Sequence, residues 1–182
     1  MTPFDYQPHL TDGTVSLRPM QAKDWAALYA VARDPAIWAA HPAPTRWQEG
    51  PFRGFFELCL ASGGALVIED AVSQEVLGLS RYDRERAEAG EIEIGWTFLA
   101  RNRWGGTTNA AVKRLMIGHA LTAFDRTIFL IGEHNIRSRR ALEKIGGALL
   151  PRDLDTPIEG RLIRHVIYAI DRRNFAKGPL NA

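Results

Sequence analysis

Residues 91–124, EIEIGWTFLARNRWGGTTNAAVKRLMIGHALTAF, decide the fold. Glu91 to Phe98 alternates apolar and polar side chains, the period of a half-buried strand. That period predicts Ile92, Ile94, Trp96 and Phe98 on one face, with Glu91, Glu93, Gly95 and Thr97 on the other. Gly95 within the run marks a bulge or a close backbone approach. The strand ends at Leu99, and the loop Arg101-Asn102-Arg103-Trp104-Gly105-Gly106-Thr107 feeds a helix over Thr108 to Phe124. Val112, Leu115, Met116, Ala120, Ala123 and Phe124 give that helix an apolar stripe.

Upstream, Val15 to Met20 reads as a short edge strand, and Asp24 offers an N-cap for a helix through Trp25, Leu28, Tyr29 and Val31 that stops near Asp34-Pro35. A second helix runs from about Gln48 to Leu60, and Ala65–Ile68 and Val76–Tyr82 read as strands. Downstream come a strand at Ile128–Ile131, a helix from Ile136 to Ile145 ended by Gly146-Gly147, and a last strand over Arg164–Ile170. The tail after Asp171 reads as loosely attached. This order predicts one α+β domain over residues 1–182, its core at about 14–171, with a central mixed, mostly antiparallel sheet flanked by helices.

Composition narrows the function classes. In 182 residues, Lys+Arg 23 against Asp+Glu 21 leaves a net charge of +2, so neither nucleic acid nor an anionic membrane is an expected partner. One cysteine, Cys59, excludes an intrachain disulfide framework and points to a reduced, cytoplasmic setting. Met1 to Asp5 has no basic or apolar leader, and no apolar run is long enough to span a bilayer. No His/Cys/Asp/Glu spacing suits a metal, and no Gly-x-Ser-x-Gly elbow, P-loop or full GxGxxG occurs.

The chemistry concentrates in three places. The 101–107 loop combines two glycines, a helix start with free N–H groups and, from Arg101 to Arg114, four basic residues and no acidic one. Such a segment suits a phosphate or pyrophosphate; the same residues also read as an ordinary capped strand-to-helix turn. Asn135 caps the later helix and Ser138 falls on its apolar stripe with Ala141, Leu142 and Ile145. Both read either as site residues or as capping and packing. Asp83 to Glu93 holds five acidic and two basic residues, a net charge of −3. Its Glu93 suits a base that accepts an amine's proton, or a solvated strand-face charge. His41, His119, His134 and Tyr168 are weaker candidates, and the five tryptophans read first as core or pocket walls.

The run "EIGWTFLARNRWGGTTNAAVKRLM" followed by "NIRSRRALEKIGG" resembles the GCN5-related N-acetyltransferases, most of all the ribosomal-protein N-terminal acetyltransferase branch. The likeness extends to "SLRPMQAKDW" and covers most of the chain. It implies acetyl-coenzyme A as co-substrate and a primary amine as acceptor, either a protein N-terminus or a small molecule. The amine would attack the thioester directly in a ternary complex. By this resemblance Trp96, Thr97 and Phe98 take the pantetheine side, and Arg103, Trp104, Gly105, Gly106, Thr107 and Thr108 take the pyrophosphate side. Asn135 and Ser138 would line the coenzyme channel, Ser138 as donor to the departing thiolate and Glu93 as base. Thr107 and Asn109 stand where the family pattern has a glycine and a small residue. The helices before Gly64 and the segment Arg152–Arg164 would build the acceptor pocket. A non-catalytic acyl-CoA-binding module is the competing reading, and a homodimer is left open.

Overall fold

The computed structural model describes residues 3–181. Eight strands form one sheet in the order β1-β2-β3-β4-β5-β6-β8-β7. They are β1 (Leu10–Thr11), β2 (Val15–Pro19), β3 (Ala65–Asp70), β4 (Val76–Asp83), β5 (Glu91–Leu99), β6 (Arg126–Gly132), β7 (Ala148–Ile158) and β8 (Arg161–Asp171). Between them lie α1 (Trp25–Ala32), α2 (Pro35–Trp38), α3 (Glu49–Ala61), α4 (Thr108–Ala120) and α5 (Ile136–Lys144), and α6 (Arg172–Lys177) follows β8. Every neighbouring pair is antiparallel except β5 and β6.

Helices cover both faces. Val112, Met116 and Ile117 of α4 and Leu142 of α5 pack with Ile92, Ile94 and Phe129 on one side. Leu28 of α1 and Phe52, Phe55 and Phe56 of α3 pack with Val67, Leu79 and Phe98 on the other. Each of these side chains contributes about 1.5–3 kcal/mol by leaving water.

The parallel β5–β6 pairing lasts for three residues, Glu91–Arg126, Ile92–Thr127 and Glu93–Ile128, and then the strands part. Against β4, β5 carries a bulge: Leu79 faces Phe98 and Arg81 faces Gly95, so Trp96 and Thr97 together oppose Ser80. The expected bulge is present, but the left-handed residue is Trp96 (φ +52°) rather than Gly95. The extra residue flips the alternation. Ile92 and Ile94 face α4, whereas Phe98 and Trp96 pack toward α1 and α3, which corrects the single apolar face expected for the four.

Other expectations are also revised. Asp24 gives α1 no side-chain cap; its buried carboxylate is held by Arg18 at 2.8 Å and accepts the Gln21 N–H. Helix α1 stops at Ala32, just before the expected Asp34-Pro35, and the Asp34 side chain caps the short α2 that follows, which was not expected. Helix α4 ends at Ala120, four residues short of Phe124. The 148–158 strand escaped the pattern because its side chains are mostly exposed and its half-buried positions, Leu150, Arg152, Thr156 and Ile158, mix apolar with polar residues. The tail is docked: Asp171 caps α6, Arg172 donates to the Leu121 carbonyl at 3.0 Å, and Leu180 is buried.

Gly78 on β4 is needed where the bulge brings β5 close. A Cβ there would lie 2.0 Å from the Phe98 carbonyl oxygen, at φ +156°. Gly78→Ala should therefore cost about 3 kcal/mol through overpacking, a fall in melting temperature of about 6–12 °C at this chain length. A calorimetric melt checks this, and an unchanged melting temperature would contradict the packing described.

Candidate active site

Two adjoining cavities fill the wedge where β5 and β6 part. The inner one, about 230 Å³, is walled by Glu93–Thr97 of β5 and Phe129–Gly132 of β6. The outer one, about 210 Å³, runs from Thr97, Phe98 and Leu99 to Arg103, Trp104 and Gly105. Thr97, Asn109, Asn135 and Ser138 line both, so the cleft leads from the start of α4 into the sheet.

At the outer mouth the 101–107 loop turns through Gly105 (φ +73°) into α4. Thr107 at the cap makes no side-chain bond to the helix, so the N–H groups of its first turn stay free at the positive end of the dipole. Gly106, Thr107 and Thr108 lie at this mouth and line neither cavity. The Trp104 indole donates to the Leu99 carbonyl at 3.0 Å, and the Arg137 guanidinium sits 4.0 Å above its ring. The basic quartet read from the sequence disperses. Arg103 walls the outer cavity but pairs with Asp70 at 3.3 Å and Glu75 at 3.4 Å, Arg114 pairs with Asp12 at 2.7 Å, and Lys113 turns inward. Arg101 is exposed and makes no ion pair among the described residues.

Deeper in, the Trp96 ring lies 3.9 Å from the Arg81 guanidinium and 4.7 Å from that of Arg86. Arg86 grips Glu93 with bonds of 2.5 and 3.0 Å, Arg81 holds Asp83, and Glu91 is clamped by Arg126 and Arg152. The acidic face expected to draw in an ammonium is thus neutralised by arginines, two of them from distant segments. Glu93 itself is 1% exposed, and burial pushes its carboxyl up to about 7 against the pull of Arg86. It lines the inner cavity, where a carboxylate with that affinity can take up a proton near neutrality.

Asn135 caps α5 by accepting the Ser138 N–H at 3.2 Å, and both side chains reach the cleft. Tyr168 does not: its hydroxyl donates to Glu143 at 2.7 Å and accepts from Arg139 at 3.2 Å inside the core. His119 bonds the Asp5 carbonyl, and His134 is exposed outside the cleft. His41 lines both cavities. Its Nδ1 accepts the Ala43 N–H at 2.9 Å, and burial, with nearby Arg46, His165 and Arg137, pushes its pKa to about 3. It is a neutral donor through Nε2.

Sequence reasoning missed Lys113, Arg86, Arg46 and His165 as cavity residues, all of which line the inner cavity, while Trp38, read as core or a pocket wall, lines it too. Lys113 had a readable signal, since it shares one helical face with Met116, Ile117 and Ala120 at i+3, i+4 and i+7. It is 3% exposed, donates to Thr97 Oγ1 at 2.9 Å and has no carboxylate partner among the described residues. Thr97 in turn shares a 2.7 Å hydrogen bond with Ser80. The segments expected to build an acceptor pocket do meet here: Trp38, His41 and Arg46 from one side, Ile158 from the other. Among the described residues no group of three His, Cys, Asp or Glu could hold a metal, and no helix is long and apolar enough to cross a membrane.

A sheet split between two parallel strands, with a bulge on one lip and a bare helix start at the mouth, frames the cleft. The chain belongs to the acetyltransferase (GNAT) domain family, whose model matches residues 14–148. Its fold is similar to that of a GCN5-related N-acetyltransferase from Brucella melitensis, at 17% identity and TM-score 0.78 over 94% of this chain and 82% of that one. Mycobacterium smegmatis RimJ in complex with CoA-disulfide follows at 22% identity and TM-score 0.67, covering 95% and 90%. Spermidine N-acetyltransferase from Vibrio cholerae, in complex with CoA and spermine, gives 13% identity and TM-score 0.66, covering 90% and 99%. No curated protein matches the chain.

Burial without a countercharge pushes Lys113 down to about 7 from 10.5. The folded state therefore binds its proton less tightly than the unfolded chain, and stability present above pH 10.5 is lost as pH falls toward 7. Lys113→Met should melt higher than the native chain at pH 6–7, with the gap shrinking steadily up to pH 10. Parallel melts across that range check it; a constant gap would place the amine in water.

Proposed function

We propose that this chain is an acetyl-CoA-dependent N-acetyltransferase that acts on a primary amine by direct attack in a ternary complex. The observation that carries the reading is the cleft itself, which runs from the uncapped start of α4 along the open edge of β5 to Glu93. Bound acetyl-CoA would supply the thioester. The free N–H groups around Gly105–Thr108 hold its pyrophosphate, and backbone groups of Trp96, Thr97 and Phe98 align its pantetheine arm. Asn135 fixes the first turn of α5 so that Ser138 faces the departing thiolate. Glu93 accepts the amine's proton, directly or through water, and N–H groups at the bulge stabilise the developing oxyanion. A protein N-terminus, the acceptor of the ribosomal-protein branch, and a small amine both fit this chemistry. RimJ with CoA-disulfide and the spermidine enzyme with CoA and spermine support the coenzyme and the amine. Thiol release from acetyl-CoA with an amine panel is the direct test: a non-catalytic acyl-CoA-binding module would bind the coenzyme and release none.

A Cβ added at Gly106 would meet nothing within 4 Å, so a side chain there does not disturb the fold. Gly106→Glu should keep its melting temperature yet lose acetyl-CoA affinity at least about 10-fold, because a carboxylate would face the pyrophosphate. Calorimetry decides it, and unchanged affinity would move the phosphate site elsewhere.

With Glu93 as base, kcat/KM should rise with pH and level off above about 7, since only the ionised carboxylate takes a proton. Glu93→Gln should lower kcat/KM about 10²-fold or more and abolish that limb. A full rate with the same pH profile would remove Glu93 from the mechanism.

A further inference from the structure

We infer that the acceptor amine also carries an anionic group, a carboxylate or a phosphate, received by Arg46 in the inner cavity. This deepens the acetyl-transfer reading above and rests on it.

Arg46 lies in the connection between α2 and α3 and lines the inner cavity but not the outer, coenzyme-side one. Its guanidinium is held 4.5 Å from the Phe55 ring centroid and 5.4 Å from that of Trp38. It makes no ion pair and no side-chain hydrogen bond among the described residues. Each of its neighbours around the cleft has a protein acceptor: Arg86 has Glu93, Arg81 has Asp83 though its Nε and Nη1 stay unbonded, Arg103 has Asp70, and Arg137 has the Ile37 carbonyl. Burial is the largest influence on Arg46 and works against its charge; Glu159 on the β7–β8 turn offsets this weakly, its Oε1 being taken by the Thr45 hydroxyl. Its half-buried guanidinium, with no protein acceptor bonded to it, leaves a planar fork that matches a carboxylate or phosphate with two bonds.

The rest of the cavity agrees. Its one carboxylate, Glu93, is doubly bonded by Arg86. Its imidazoles, His41 and His165, are both pushed toward the neutral form by burial. Lys113 on the floor adds a further basic group and no negative charge. A polycation such as spermine would find no free carboxylate here and would face Arg46 directly. An amine with an acid group places its nitrogen toward Glu93 and its oxyanion on Arg46.

Matched pairs test this by thiol release from acetyl-CoA: β-alanine against β-alaninamide for a carboxylate, 2-aminoethyl phosphate against 2-aminoethanol for a phosphate, with spermidine as the cation. The anionic member of at least one pair should exceed its neutral partner at least 10-fold in kcat/KM, with spermidine below both. The pair that responds names the anion. Arg46→Gln should bring that ratio near one, and Arg46→Lys should keep part of it. A second measurement needs no turnover. In the presence of CoA, N-acetyl-β-alanine and the N-acetylated aminoethyl phosphate are titrated against their neutral counterparts, read by tryptophan fluorescence. Preference of at least 10-fold for an anion, lost in Arg46→Gln, supports the subsite. A preference for neutral or cationic ligands, or one that survives Arg46→Gln, overturns it. Binding of an anion through Arg46 with no amine turned over would sink the transfer reading and leave this subsite standing. Turnover with no anion preference would do the reverse.

Discussion

Everything at the site depends on the parallel ladder between β5 and β6 stopping at Glu93 and Ile128. Strands that begin paired and then part leave facing rows of N–H and C=O groups in the middle of a sheet, where they would ordinarily be satisfied by a neighbour. Such an opening persists only if both lips are held by something else. β4 holds one through the antiparallel pairs Gly78–Leu99 to Asp83–Glu93, and β8 holds the other from Arg126 to Gly132. The wedge is thus a fixed slot shaped for an extended chain with its own donors and acceptors, the manner in which a peptide adds to a sheet edge.

The buried charges serve that slot. Glu91 sits where the two strands are still joined, and Arg126 and Arg152 tie it to β6 and β7 at the point of divergence. Two residue pairs later Glu93 is gripped by Arg86, and Trp96 at the bulge lies beneath Arg86 and Arg81. Removing one partner of such a pair strands the other in a low dielectric, so these clusters fix geometry more than they add net stability. Lys113 differs in kind. Its amine reaches Thr97 with no charge to answer it, a placement that hydrophobic packing would not select.

The strand–loop–helix at 91–120 was legible because strand period, glycine loop and apolar stripe all agree there. The cap of α5 by Asn135 and the start of α4 at Thr108 were legible for the same local reason. What stayed hidden is what depends on distant partners. No spacing shows that Arg126 and Arg152 converge on Glu91, or that Arg86 turns back onto Glu93 across the β4–β5 turn. β7 gives no apolar alternation to read, because most of its side chains face solvent and its half-buried face includes Arg152 and Thr156. The split in the sheet is invisible too, since neither the alternation of β5 nor the apolar run of β6 changes where their pairing stops at Glu93 and Ile128. The bulge was half legible: Gly95 flagged its neighbourhood, but the flipped face of Phe98 follows from the register with β4.

The loop's departure from the family pattern finds its explanation in backbone geometry. A glycine in that run is needed only where the chain must turn left-handed, and here Gly105 alone carries that turn at φ +73°. Thr107, which replaces the central glycine, is right-handed at φ −83°, a conformation open to any residue. Its side chain leaves the helix N–H groups unbonded, so they remain free for an anion. Asn109, in place of a small residue, is two residues further on and lines both cavities, between the mouth and the slot. The substitutions therefore preserve the turn and the free N–H groups, and they add a polar residue where the two cavities adjoin.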